Sequence, residues 1–240
     1  MRRIELEGAF NVRDVGGYPT HDGRTTRWRR LLRADSLHRL TPADQRALLE
    51  YGVRTIIDLR RPSEVARDPN VFAAAGGVAY RNLPLFGDEL TPVVETPARS
   101  LDELYRLWLD HCHTQIGAVL AGVAEAEAAP VVVHCFVGKD RTGLVVALAL
   151  GAAGVPHETI ADDYALSAGL LAPLIVELRE RVRLAGEDLE RYDRMTISPR
   201  EKMLGVLGYL DERYGGVPGY LEAIGLSAAQ VERLRRLLLE

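Results

Sequence analysis

Cysteine is scarce in this chain: 240 residues hold two, Cys112 and Cys135. That excludes a disulfide-stapled scaffold, and a chain of this length buries a core without staples. Long apolar runs are missing too. The longest, Leu144 to Val155, is far shorter than the roughly 20 residues that cross a bilayer and reads instead as a core helix. Charge of one sign is absent: a formal net charge of −4 gives no electrostatic reason to bind nucleic acid. Met1-Arg2-Arg3 runs into Ile4-Glu5-Leu6-Glu7 and not into an apolar stretch, so a cleaved secretory leader is not expected. Repeats and low-complexity linkers are missing as well. A single domain over residues 1–240 is the expectation.

What is present is concentrated in ten residues, His134-Cys135-Phe136-Val137-Gly138-Lys139-Asp140-Arg141-Thr142-Gly143. Before them stands a β-branched run, Val131-Val132-Val133, bounded by Pro130. After them, Leu144 to Leu150 is apolar all round. The pattern is a buried strand, a tight turn and a buried helix. The turn therefore lies at a helix N-terminus, where unpaired backbone N–H groups and the positive end of the helix dipole favour an anion. The same field, with Lys139, Arg141 and His134 nearby, favours the thiolate of Cys135, the nucleophilic form of the side chain. A loop curled around a phosphate lets Arg141 close the ring with two parallel hydrogen bonds to phosphoryl oxygens. Gly138 and Gly143 supply backbone freedom and close approach. The Thr142 hydroxyl is placed to donate to the cysteine sulfur.

His-Cys-x5-Arg-Thr-Gly resembles the signature of cysteine-dependent phosphatases, and the fuller Gly138-Lys139-Asp140-Arg141-Thr142-Gly143 is similar to that of their bacterial tyrosine and phosphoinositide branch. Further blocks look like that family: Asn11 to Tyr18, Leu32 to Ser36, Ile57-Asp58-Leu59-Arg60 before Glu64, and Tyr214 to Val217 with Tyr220-Leu221. The resemblance implies an α/β fold with a central, mostly parallel sheet flanked by helices, and a helical lid, here placed at about residues 157–192. It implies hydrolysis of phosphomonoesters through a phosphocysteine, with phosphotyrosine proteins or phosphoinositides as substrates and no cofactor. Relatives exported without a cleaved signal leave the location as cytoplasmic or leaderless export. Ala168 to Pro173 reads as a hinge at which the lid could open, and the lid is expected to shield Cys135 from oxidation.

In that scheme Cys135 and Arg141 are catalytic, and Phe136, Val137, Gly138, Lys139 and Thr142 bind substrate. The general acid has two candidates. Asp140 lies inside the loop, where the bacterial relatives also carry an aspartate. Asp88 follows a strand and precedes an irregular segment with Pro92 and Pro97. Either has a plainer reading, Asp140 as an orienter of Arg141 or of backbone amides and Asp88 as a solvated loop residue. Asp58, ending a strand, is expected to pair with a basic group. Asn11, Arg13 and Asp14 read as braces for neighbouring loops, with Arg13 a secondary candidate for touching phosphate. Arg24, Arg27, Arg29, Arg30 and Arg33 crowd one stretch, usually a solvated face, alternatively a holder of extra phosphates.

Three other classes share some of these features. A rhodanese-type sulfurtransferase also keeps a cysteine in a loop beside a helix, but Lys139 to Gly143 argues against it. His111-Cys112-His113 with His134 and Cys135 could suggest a metal cluster, yet adjacent residues on a helix point apart, so no metal is expected and Cys112 reads as structural. A phosphate or phosphoinositide binding protein without turnover remains the alternative function.

Elsewhere, Thr41-Pro42-Ala43-Asp44 opens a helix that Gly52 closes. Strands are expected over Val53–Leu59, Val78–Leu85 and Val131–His134. Helices are expected over Leu101–Ala126 with a break near Thr114, over Arg141–Ala153 and from Pro156 through Tyr192. Pro199 opens another, Gly215-Gly216 ends it, and Ser227 to Gln230 forms a capping box for the last.

Overall fold

The computed structural model describes residues 2–74, 77–96, 98–126 and 130–239; Pro97 of the expected irregular segment lies outside them. Five short strands, β1 (Arg13–Asp14), β2 (Leu31–Ala34), β3 (Thr55–Asp58), β4 (Ala79–Asn82) and β5 (Val131–His134), form one sheet in the order β1-β2-β5-β3-β4. All neighbours are parallel except β1 with β2. The helices between and after them are α1 (Pro42–Tyr51), α2 (Pro62–Arg67), α3 (Thr91–Val94), α4 (Leu101–His111), α5 (His113–Ala124), α6 (Asp140–Ala152), α7 (His157–Leu184), α8 (Leu189–Thr196), α9 (Arg200–Tyr214), α10 (Val217–Ala223) and α11 (Ala228–Leu238). This is the α/β arrangement expected for a cysteine-phosphatase-like fold.

Strand alternation sorts the apolar side chains onto two faces. Leu31, Ile57, Val131 and Val133 join the larger core under α4, α5, α6 and α9 to α11, while Leu32, Ala34, Ile56 and Val132 join a smaller one with α1. β5, central and covered on both faces, is a continuous valine run for that reason. The capping expectations correspond to real bonds: Thr41 accepts from the Asp44 amide, Gly52 ends α1 at φ 108°, and Ser227 and Gln230 cap each other at α11. The break in the 101–126 segment falls at Cys112, which is buried between α4 and α5.

The structure differs from the sequence reading around α7. This helix runs unbroken through the expected hinge at 168–173. A proline inside a helix frees the carbonyl four residues back, here that of Gly169. Ala168, Gly169, Ala172 and Pro173 are all exposed, so solvent can satisfy that group. The first half of α7 is core, with Ile160, Ala161, Asp163, Tyr164 and Ser167 buried. By length and composition α7 could cross a membrane. In this fold, however, its Asp163 is buried in an ion cluster with Arg13 and Arg33. β1 and β2 escaped the sequence reading because a fully buried arginine, Arg33, interrupts the apolar pattern of β2.

Candidate active site

Parallel strands bring their carboxyl ends to one edge of the sheet, the usual place for a ligand crevice in open α/β folds. Ala34, Asp58 and His134 lie side by side there, and the segment 135–139 leaves the middle strand to enter α6 at Asp140. Gly138 turns this loop at φ 66°, and a Cβ there would stand 2.2 Å from the Ala34 carbonyl oxygen. Only glycine meets both demands.

The hydrogen bonds of the loop divide by sign. All five carbonyls from Cys135 to Lys139 are held by groups outside the curve. His134 Nδ1 lies 3.2 Å from the Cys135 oxygen, and the Ser36 amide donates to Phe136 O at 2.9 Å. Asn11 Nδ2 donates to Val137 O and Gly138 O at 3.1 and 3.0 Å. Arg33 Nη2 donates to Gly138 O and Lys139 O at 2.7 and 3.3 Å. In a trans peptide the C=O and the following N–H point in opposite directions, so holding the carbonyls outward turns the amides inward. The amides of Phe136, Val137, Gly138 and Lys139 have no acceptor among the described residues. Converging, unpaired N–H groups at the start of a helix form an anion nest.

Cys135 opens this nest and is almost fully buried, at 1 % exposure. Arg141 flanks it. Its two terminal nitrogens bind Glu64 of α2 as a fork, at 2.6 and 2.8 Å. An end-on pair of this kind leaves the side edge, Nε and the outer hydrogen of Nη2, for phosphoryl oxygens. Burial opposes charge on both partners, but their mutual hydrogen bonds and attraction outweigh it. The Glu64 carboxyl is brought down to about 2, and Arg141 is held more firmly protonated than usual. Sequence reasoning did not name Glu64 as a site residue. The available signal was Arg61-Pro62-x-Glu64, a helix start whose acidic residue also accepts the Arg61 amide at 2.9 Å.

Asp140 begins α6, and its Oδ1 accepts from Tyr105 at 2.7 Å and lies 3.3 Å from Lys139 Nζ. Tyr105 also pairs with Tyr164 at 2.8 Å, and burial keeps both phenols protonated well past neutral pH. Lys139 itself turns its ammonium to the carbonyls of Met195 and Ile197, at 2.7 and 2.8 Å, at the end of α8. The Thr142 hydroxyl is buried without a partner among the described residues. Asp88 is 44 % exposed on a 3-10 turn, where it binds the amide and hydroxyl of Ser63. It is tied to the start of α2 and lies 3.8 Å from Arg61, which in turn pairs with Glu64, the partner of Arg141.

Burial pushes the pKa of His134 down, against the pull of Asp58, and its Nε2 lies 2.9 Å from Asn70 Nδ2. Asp58 pairs with Arg60, as anticipated. Of the arginine crowd, Arg33 alone reaches the loop. Arg30 precedes β2 at the opposite edge of the sheet, and Arg24 pairs with Asp22 on the surface. Arg13 is buried against Asp163. Beside the loop opens a cavity of about 700 Å³, walled by Phe136, Leu174, Leu178, Val182 and Tyr192, with Arg39, Arg67 and Arg181 among its polar residues. Glu177 of α7 binds Arg39 across it at 3.2 Å.

The model of a group described as the tyrosine phosphatase family matches residues 4–240. The tyrosine-protein phosphatase of Nostoc commune is 34 % identical over 85 % of this chain and 72 % of its own length. The triple specificity protein phosphatase PtpB of Mycobacterium tuberculosis is 29 % identical over 98 % of both chains.

Proposed function

Since this chain belongs to the tyrosine phosphatase family, we propose that it hydrolyses phosphotyrosine by covalent catalysis at Cys135. The observation that carries this reading is the loop of four unpaired amides closed by the Arg141 fork, with a buried cysteine at its mouth. The thiolate attacks phosphorus in line, and the phosphoryl group passes to sulfur as the ester oxygen departs with a proton. Water then hydrolyses the phosphocysteine and restores the thiolate. Splitting the reaction in two is the gain of a covalent nucleophile, and the fixed amides and guanidinium hold charge where it develops.

The choice of phosphotyrosine rests on the cavity. Its Phe136, Leu174, Leu178, Val182 and Tyr192 offer apolar walls to a phenyl ring, which a phosphoserine side chain would not fill. Arg39, Arg67 and Arg181 in the same cavity support a second reading, that phosphoinositides are also turned over. The end of α7 with α8 forms the lid over this space. A panel of an activated aryl phosphate, phosphotyrosine, phosphoserine and phosphoinositides, each with and without a chelator, tests the reading. Aryl esters are expected to react fastest, unaffected by the chelator. Absence of turnover on the whole panel would leave a phosphate-binding protein.

Asp140 is the proposed general acid. With Oδ1 occupied by Tyr105, Oδ2 is the oxygen left to carry the proton. Protonation matters most for poor leaving groups. Asp140→Asn is therefore expected to slow alkyl phosphates about tenfold more than an activated aryl phosphate, while Asp88→Asn slows both alike. An equal loss on both substrates for Asp140→Asn would make it a structural member of the loop.

A further inference from the structure

Beneath the loop lies a charged cluster whose members come from three separate parts of the chain, the 11–18 stretch, β2 and α7. Arg13 of β1 donates through Nε to Asp163 Oδ1 at 3.0 Å, and Arg33 of β2 donates through Nη1 to Asp163 Oδ2 at 2.7 Å. Each of these three side chains is 1 % exposed. Tyr18 donates to Asp163 Oδ1 at 2.8 Å, and Ser167, one turn further along α7, accepts from Arg13 Nη2 at 3.2 Å and from Asn11 Nδ2 at 3.4 Å. Burying such a cluster is costly, and apolar residues of similar volume often stabilise a fold as well or better. The Arg33 Nε is even left without a partner among the described residues. Stability alone does not account for it.

What the cluster touches does. The second arm of Arg33 and the amide of Asn11 hold the carbonyls of residues 137–139. Those peptides carry the N–H groups of Gly138, Lys139 and Asp140. Two guanidinium groups against one carboxylate also leave one positive charge in excess under the anion nest. Arg13, lowered to about 10 by burial and by the repulsion of Arg33, is still charged at neutral pH. Gly143 makes room for the strut, since a Cβ there would lie 3.5 Å from Arg33 Nη2 and 3.1 Å from the Tyr164 ring.

We propose that Asn11, Arg33 and Asp163 are positioning residues of the phosphate loop, and that Asp163 makes the seating of α7 and the oxyanion affinity of the loop a single property. Asn11 and Arg33 pull the carbonyls outward and so aim the amides. Asp163, from the helix that continues into the lid, fixes the guanidinium that does the pulling. Turnover enters only through the phosphatase reading, on which the kinetic part of this proposal rests. Phosphate affinity can be read without it.

The test uses the full chain and inorganic phosphate as the probe, read as protection of Cys135 from iodoacetamide at fixed pH, beside the melting temperature and kcat/KM on an aryl phosphate. Arg33→Lys keeps the charge but cannot span Asp163 and Gly138 together. Asn11→Ala removes the amide without unpairing the ions. Both are expected to weaken phosphate protection at least about tenfold and to lower kcat/KM in proportion, and Ser167→Ala to do the same about threefold. A brace of fold stability alone would lower the melting temperature and leave the phosphate affinity of the folded protein unchanged. Affinity within twofold of wild type in Asn11→Ala overturns the proposal, and this variant decides if Arg33→Lys does not fold. A wild-type protein that hydrolyses nothing, yet whose phosphate protection falls in these variants, would refute the phosphatase reading and leave the positioning role standing.

Discussion

Cys135→Ser is expected to cut turnover of every phosphomonoester by at least about 10⁴-fold while inorganic phosphate or vanadate still binds. A serine hydroxyl is not ionised near neutral pH and cannot form the phosphocysteine, but it fits the same turn and leaves the loop amides in place. Rates on an aryl phosphate, with vanadate binding measured separately, check the two halves. Appreciable residual activity would remove the phosphocysteine mechanism. Cys112→Ser is the internal control. Burial pushes the Cys112 thiol up to about 12, so it is not a thiolate at working pH, and its replacement is expected to leave the rate nearly unchanged. A comparable loss there would mean that the two cysteines have been given each other's roles.

The second large effect concerns the fork. Arg141→Lys retains one positive charge but can no longer bind Glu64 end-on while offering a side edge to phosphate, and kcat/KM is expected to fall about 10³-fold. Glu64→Gln, which loosens the fork without removing it, is expected to cost about tenfold. A near wild-type rate for Arg141→Lys would show that the loop does not close around phosphate as described. The pair also has a pH signature. The Glu64 carboxyl is held below its ordinary 4.5, at about 2, so its contribution to stability is present above about pH 4.5 and is lost as pH falls toward 2. Glu64→Gln should therefore flatten the acid limb of a melting-temperature profile over that window.

The strand-turn-helix that bears Cys135 was legible because its signals are local. A valine run, a glycine at the turn and an apolar helix lie within about twenty consecutive residues, and their backbone preferences decide the conformation before any distant contact forms. The same holds for the capping of α1 and α11. The sequence also offered two aspartates as candidates for a general acid but could not separate them, since loop position depends on what each carboxylate binds. The fold placed Asp88 on Ser63 and Asp140 on Tyr105.

Other features became visible only in three dimensions. Glu64 stands 77 residues from Arg141, and Asp163 stands 150 from Arg13 and 130 from Arg33. Nothing in the local pattern of an isolated acidic residue says which of thirty Lys and Arg side chains it will meet. Lys139 reads from sequence as a phosphate ligand because of its neighbours. Its ammonium instead meets the end of α8, because that helix end presents two carbonyls at the right distance. Pro173 reads as a hinge, whereas α7 continues through it where solvent can reach the freed carbonyl. By itself, then, the sequence determined the strand, turn and helix of the loop and the side chains it carries, which depend on residues a few positions apart. The tertiary structure decided the partners that aim the loop, because a buried charge takes its partner from whichever elements pack against it, however far away in the chain.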